Sequence, residues 1–90
     1  MKRVSQTAQF SRDVKKMRKR GKDLAKLQGV VQQLALDKPL PDKHRDHALA
    51  GRWQPSRDCH IEPDWILIYT VDESTLRLER TGTHGDLFKK

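Results

Sequence analysis

The chain has 90 residues, 34% of them hydrophobic and 34% charged, with a formal net charge of +7; one small domain over residues 1–90 is expected, burying roughly 60% of the unfolded chain's surface. No run approaches the ~20 consecutive apolar residues of a membrane span, no apolar leader is visible, and Cys59 is the lone cysteine. These features argue against a membrane protein and against a secreted disulfide scaffold, leaving a soluble cytoplasmic protein as the expectation.

The charge is distributed unevenly. Residues 1–36 carry ten basic and two acidic side chains, whereas residues 37–90 carry nine and ten. The excess is densest in Lys15, Lys16, Arg18, Lys19, Arg20 and Lys22, a block that suggests a polyanionic partner such as nucleic acid, with a solvated helix face as the plain alternative.

In chain order, Lys2 to Gln6 read as a short strand or an unstructured start. Thr7 is an acceptable N-cap, and Phe10, Val14 and Met17 then recur at i, i+4, i+7, which places them on one helical face. Gly21 is a plausible stop. Asp23 can cap a second helix in which Leu24, Leu27, Val30, Val31 and Leu34 share a face, ended by Leu36-Asp37-Lys38-Pro39. So short a turn pairs the two helices antiparallel, with their apolar faces laid on another layer.

Pro39 to Gly51 lack periodicity and read as a loop. Trp53 to Ile61, Asp64 to Val71 and Thr75 to Thr81 read as three strands, the middle one a continuous apolar run, joined by connections short enough for hairpins. The expected fold is α+β: an N-terminal strand and a two-helix hairpin packed on a small antiparallel sheet, in the order β-α-α-β-β-β.

All four histidines, His44, His47, His60 and His84, lie in the second half. An antiparallel meander brings His60, Asp64, Arg80 and His84 to one end of the sheet. Strict period-2 counting places Arg80 on the face of Leu76 and Leu78, where a charge is unexpected unless the strand bends near Gly82 or the guanidinium projects past the core to meet an anion. The histidines fit three readings. A zinc site from His44, His47, His60, His84 and Cys59 has tolerable His44-x-x-His47 spacing but no Cys-x-x-Cys pair. Polar loop histidines are the plain reading. The third is metal-free acid–base chemistry on a phosphodiester, with an arginine stabilising the phosphorane-like charge.

At His44-Arg45-Asp46-His47-Ala48-Leu49-Ala50-Gly51-Arg52-Trp53 the sequence resembles the YafQ branch of the RelE superfamily of bacterial type II toxins. The likeness continues through Arg57-Asp58-Cys59-His60-Ile61-Glu62-Pro63-Asp64-Trp65-Ile66-Leu67-Ile68-Tyr69 and closes with Leu78-Glu79-Arg80-Thr81-Gly82-Thr83-His84 and Leu87-Phe88. Over the helices it is one of pattern, plus Phe10-Ser11-x-Asp13-Val14-Lys15. The resemblance implies a RelE-like fold and a ribosome-dependent mRNA endonuclease inhibited by a co-expressed antitoxin. The family's site residues correspond to His47, His60, Asp64, Arg80 and His84, with Trp65 and Phe88 binding substrate or supporting the site; His44 has no counterpart.

The implied mechanism is attack of the mRNA 2′-hydroxyl on the adjacent phosphate, with no metal and no cofactor. His60, oriented by Asp64 and helped by His47, is expected to activate the hydroxyl. His84 is expected to protonate the leaving 5′-oxygen and Arg80 to hold the non-bridging oxygens, with the reversed acid and base assignment as the alternative. Trp65 is expected to pack behind the site, and Phe88 to cap it or touch a nucleotide. The implied partners are a cognate antitoxin in a heterotetramer, the 70S ribosome with its RNA reached through the Lys15–Lys22 cluster, mRNA, and operator DNA only through the antitoxin. A catalytically inactive RNA- or ribosome-binding module of the same fold is the alternative; a DNA nuclease lacks the clustered carboxylates that would hold Mg²⁺.

Overall fold

Thr7 opens the first helix as its residue type predicts: in the computed structural model, which describes residues 1–88, its Oγ1 accepts the Phe10 N–H at 2.9 Å. The short strand β1 (Arg3–Gln6) precedes it, and α1 runs from Ala8 to Lys19. Gly21 then adopts φ +84°, a left-handed turn open to glycine. Asp23 Oδ1 accepts the Ala25 N–H at 3.0 Å and starts α2, Leu24–Ala35. The remaining elements are β2 (His47–Ala48), β3 (Arg57–Glu62), β4 (Trp65–Val71), β5 (Thr75–Gly82) and α3 (His84–Phe88).

The expected antiparallel meander β3–β4–β5 forms, with β4 at its centre, and the complete sheet has the order β1-β5-β4-β3-β2. Its two edges go beyond the sequence expectation. β1 joins β5 in parallel, Arg3 opposite Thr75 through Gln6 opposite Leu78, so the whole sheet is mixed. All four β1 residues are exposed, so their pattern carries no sign of a partner. Within the expected loop, His47 and Ala48 pair with Asp58 and Arg57 as a two-residue edge strand. β3 starts at Arg57 rather than Trp53, because Gly51–Trp53 form a 3-10 turn and Pro55 has no N–H to give a ladder.

Both faces of β4 are covered, which explains its unbroken apolar run. Trp65, Leu67 and Tyr69 face the helices and pack with Phe10, Met17, Leu27 and Val30. Ile66 and Ile68 face the other way, against Leu87, Leu49, Trp53 and Phe88. Each buried isoleucine contributes about 1.5–3 kcal/mol, and this second, smaller cluster is the floor on which the site is built. No helix among the described residues is long and apolar enough to cross a membrane.

A bulge in β5 corrects the expected facing of Arg80. Ile68 pairs with Arg80 while the next residue, Tyr69, pairs with Leu78, so Glu79 is extra. Parity therefore flips at Glu79, not at Gly82. Arg80 leaves the face of Leu76 and Leu78 and stands opposite Ile68. β1 accompanies β5 only as far as Leu78, which leaves an open edge beyond it. There the guanidinium meets an anion, with Arg80 Nε donating to Asp13 Oδ2 at 3.0 Å and Nη2 to Oδ1 at 3.1 Å.

Candidate functional site

A cleft of about 500 Å³ opens over the Ile66–Ile68 face, lined by His47, Leu49, Asp58, His60, His84 and Phe88. Three elements bring its histidines together: β2 carries His47, β3 carries His60 and α3 begins at His84. The ring centroids of His60 and His84 are 5.5 Å apart.

Asp64 is held by His84 rather than by His60. One carboxylate oxygen, Oδ1, accepts both the His84 backbone N–H at 3.0 Å and the His84 Nδ1–H at 2.7 Å. These two hydrogen bonds, the backbone one first, hold the Asp64 carboxyl below its ordinary range. With Nδ1 engaged, the ring of His84 presents Nε2 as its free nitrogen. His60, by contrast, has a buried Nδ1 with no hydrogen-bond partner among the described residues, so no neighbouring group fixes its tautomer. His47 Nδ1 donates to the Arg45 carbonyl at 2.8 Å and lies 3.0 Å from Asp58 Oδ1.

Asp58 is the site residue that sequence reasoning missed. It is buried beneath the three histidines, and desolvation pushes its carboxyl up while the charges of His47, His60 and His84 oppose that rise. Alternation along β3 was the available signal: Cys59 and Ile61 turn to the helical core, and Asp58 and His60 turn to the cleft.

The five-residue helix α3 is equally absent from the periodicity, yet its start carries a recognisable motif. Thr83 Oγ1 accepts the Asp86 N–H at 3.2 Å and Asp86 Oδ2 accepts the Thr83 N–H at 3.0 Å, a reciprocal capping box. Asp86 also receives Arg20 Nη1 at 2.6 Å and Lys16 Nζ at 3.3 Å. A Cβ at Gly82 would approach the Asp86 Cβ to 3.0 Å, so the strand end leaves room for this carboxylate.

Arg20 and the capping bonds hold the Asp86 carboxyl far below its ordinary range. Its folded pKa is depressed, so its stabilisation is complete above the unfolded carboxylate pKa and is lost as pH falls below about 4. Asp86→Asn is expected to lower stability by about 1–2 kcal/mol at pH 7 and to flatten the acid limb of Tm against pH, measured by thermal melts from pH 2 to 7.

The basic cluster is thereby divided. Lys16 and Arg20 pin α3, and Lys22 Nζ is 2.9 Å from Glu62. Lys15, Arg18 and Lys19 are exposed and form no ion pair among the described residues.

The other expected site residues lie around the cleft rather than in it. Arg80, bonded to Asp13, lines the adjoining cleft with Arg52 and Trp53. Trp65 is fully buried on the helical side, its Nε1–H donating to Thr81 Oγ1 at 2.9 Å, so it packs behind the site and cannot stack on a base. Phe88 stands at the rim, 6.2 Å from the His84 ring and 5.9 Å from Trp53 between centroids. The zinc reading does not match the geometry. Cys59 is fully buried on the helical side, where burial pushes its thiol up to about 12. His44 Nδ1 donates to the His60 carbonyl at 2.6 Å and fastens the loop to β3. Among the described residues no three His, Cys, Asp or Glu side chains are grouped to hold an ion.

Comparison with known proteins follows the same architecture. Residues 2–89 match the family model described as a bacterial toxin of type II toxin–antitoxin system, YafQ. The mRNA interferase toxin YafQ of Escherichia coli strain K12 is 48% identical over 86 residues, 94% of each chain. In the crystal structure of the E. coli DinJ–YafQ complex, a chain 46% identical superposes with a TM-score of 0.91, covering 98% of this chain and 99% of that one. A metal-bound toxin from Helicobacter pylori, 40% identical, also superposes with a TM-score of 0.91, covering 98% of this chain and all of that one.

Proposed function

The chain belongs to the YafQ family of bacterial type II toxins, and from that premise we propose that it is an mRNA interferase that cuts translated mRNA in the ribosomal A site, without a metal, and is silenced by a cognate antitoxin. The observation that carries the reading is the pairing of Asp64 with His84 Nδ1 beside His60. It sets two unlike imidazoles on one cleft, one anchored by a carboxylate and one whose buried nitrogen has no hydrogen-bond partner among the described residues.

Cleavage of RNA by its own 2′-hydroxyl needs a base on one side of the phosphate and an acid on the other. His60, assisted by His47, takes the 2′-hydroxyl proton; the 2′-oxygen bonds to phosphorus, the P–O5′ bond breaks, and the 5′-oxygen receives a proton from His84. The products are a 2′,3′-cyclic phosphate, or the 3′-phosphate opened from it, and a 5′-hydroxyl. Asp64 holds the His84 ring with Nδ1 as donor and so aims Nε2 at the leaving oxygen, the orienting role of a carboxylate beside a catalytic imidazole. Arg80 is fixed by Asp13 through two of its nitrogens and meets the phosphate charge with the third, while Phe88 closes the rim.

Mapping the 5′ ends of mRNA fragments after brief induction tests this reading. New 5′-hydroxyl ends in register with codons, on translated messages only and unaffected by excess chelator in a purified ribosome reaction, are expected. Uncut messages would leave a binding-only module, and loss of cutting in chelator would restore a metal to the mechanism.

Docking on the ribosome falls to Lys15, Arg18 and Lys19, the basic side chains of the cluster that are free of ion pairs among the described residues. Reversing all three to glutamate is expected to weaken sedimentation with ribosomes and to reduce the slope of log affinity against log salt by about one per lost phosphate contact. Unchanged association would assign docking elsewhere. The antitoxin complex, a heterotetramer by this reading, contacts operator DNA through the antitoxin.

A further inference from the structure

We propose that Arg52 and Trp53, next to Arg80, form a subsite for the nucleotide flanking the scissile phosphate, Trp53 stacking on its base and Arg52 holding its phosphate. The inference rests on the endoribonuclease reading and adds specificity residues to it.

Four rings form a continuous row from the reactive cleft: His60 to His84 at 5.5 Å, His84 to Phe88 at 6.2 Å and Phe88 to Trp53 at 5.9 Å between centroids. The row ends in a separate cleft of about 340 Å³ lined by Arg52, Trp53, Arg80, Asp86 and Leu87. Trp53 is half-buried: it packs on the Ile66–Ile68–Leu87 cluster and meets Phe88 edge-on at 75°, an arrangement that fixes its plane. Arg52 is exposed and without an ion pair among the described residues. Arg80 is oriented by Asp13, which takes Nε and Nη2 and leaves Nη1.

The Asp86 carboxylate in this cleft would repel a phosphate if it stood alone, but Arg20 and Lys16 neutralise it from behind. A fixed indole in a cleft shared with an unpaired guanidinium is the chemistry of a single-stranded nucleic acid platform: bases stack on aromatic faces, and arginines contact phosphate. A strand whose scissile phosphate lies against both His60 and His84 reaches this platform along the row of rings.

The test uses the full-length protein and ribosomes carrying an mRNA library randomised on both sides of the cut. Trp53→Ala is expected to lower kcat/KM about tenfold, in the range of one lost base stack, and to flatten the base preference at one flanking position, which Trp53→Phe restores. Arg52→Ala is expected to lower kcat/KM several-fold on all sequences alike, as a phosphate contact does. An unchanged flanking preference in a natively melting Trp53→Ala protein, or an unchanged kcat/KM in Arg52→Ala, overturns the subsite. Should Trp53→Ala fail to fold, Arg52→Ala, which alters an exposed side chain, decides alone. A wild-type protein that leaves ribosome-bound mRNA intact overturns the endoribonuclease reading itself, whereas cutting by wild type with indifferent variants overturns the subsite alone.

Discussion

Replacing His84 with alanine is expected to slow single-turnover cleavage of ribosome-bound mRNA by about 10²- to 10⁴-fold, the range of one general acid or base. The ring is exposed and stands outside both core clusters, so the variant should melt as the wild type does and the loss should be chemical. Asp64→Asn probes the same device one step back. Its Oδ1 can still accept a hydrogen bond, but the negative charge beside Nδ1 is gone, and a loss of about tenfold is expected, smaller than that of the imidazole itself. Undiminished cleavage by His84→Ala would sink its assignment as proton donor. An Asp64→Asn protein as impaired as His84→Ala would instead mean that the carboxylate does more than orient.

Asp13→Ala is expected to be the most destabilising substitution outside the apolar clusters, at about 3 kcal/mol, or roughly 15 °C in Tm for a domain of this size. The Asp13 side chain is 7% exposed and accepts Arg80 Nε, Arg80 Nη2 and the Thr81 N–H. Its removal leaves Arg80 unpaired and a buried backbone N–H without a partner, each a cost in its own right. The 28% exposure of Arg80 keeps the loss at the low end of that for a buried pair. Because Asp13 also aims Arg80, cleavage should fall beyond what the fraction unfolded accounts for. A double-mutant cycle with Arg80→Ala should show coupling above about 1 kcal/mol; additive effects would mean that the two side chains act independently.

Part of the candidate cleft's grouping was legible in the sequence, because an antiparallel meander leaves little choice about which strand ends meet. His60, Asp64 and His84 do come together as hairpin connectivity requires. The pairings within that group were not legible. Asp64 bonds to His84 rather than to His60 because the chain turns at Thr83 into α3, which directs the His84 N–H and Nδ1 at one oxygen. A five-residue helix is too short to show periodicity, and only the Thr83–Asp86 capping pair marks it. Arg80 presents the converse case: its anomaly was visible in period-2 counting, but the bulge that resolves it sits at Glu79, where no glycine or proline signals it.

By itself the sequence determined the two capped helices, the three long strands, the doubly apolar β4 and the concentration of positive charge before Asp37, since caps, periodicity and composition are local properties. Tertiary structure alone decided the parallel pairing of β1 with β5, the facing of Arg80, the burial of Asp58 beneath three imidazoles and the division of the basic cluster. Each of these depends on groups far apart in the chain. A one-residue slip in register reverses a side chain's face, and Arg20 loses its availability to a polyanion only because Asp86, 66 residues away, folds against it.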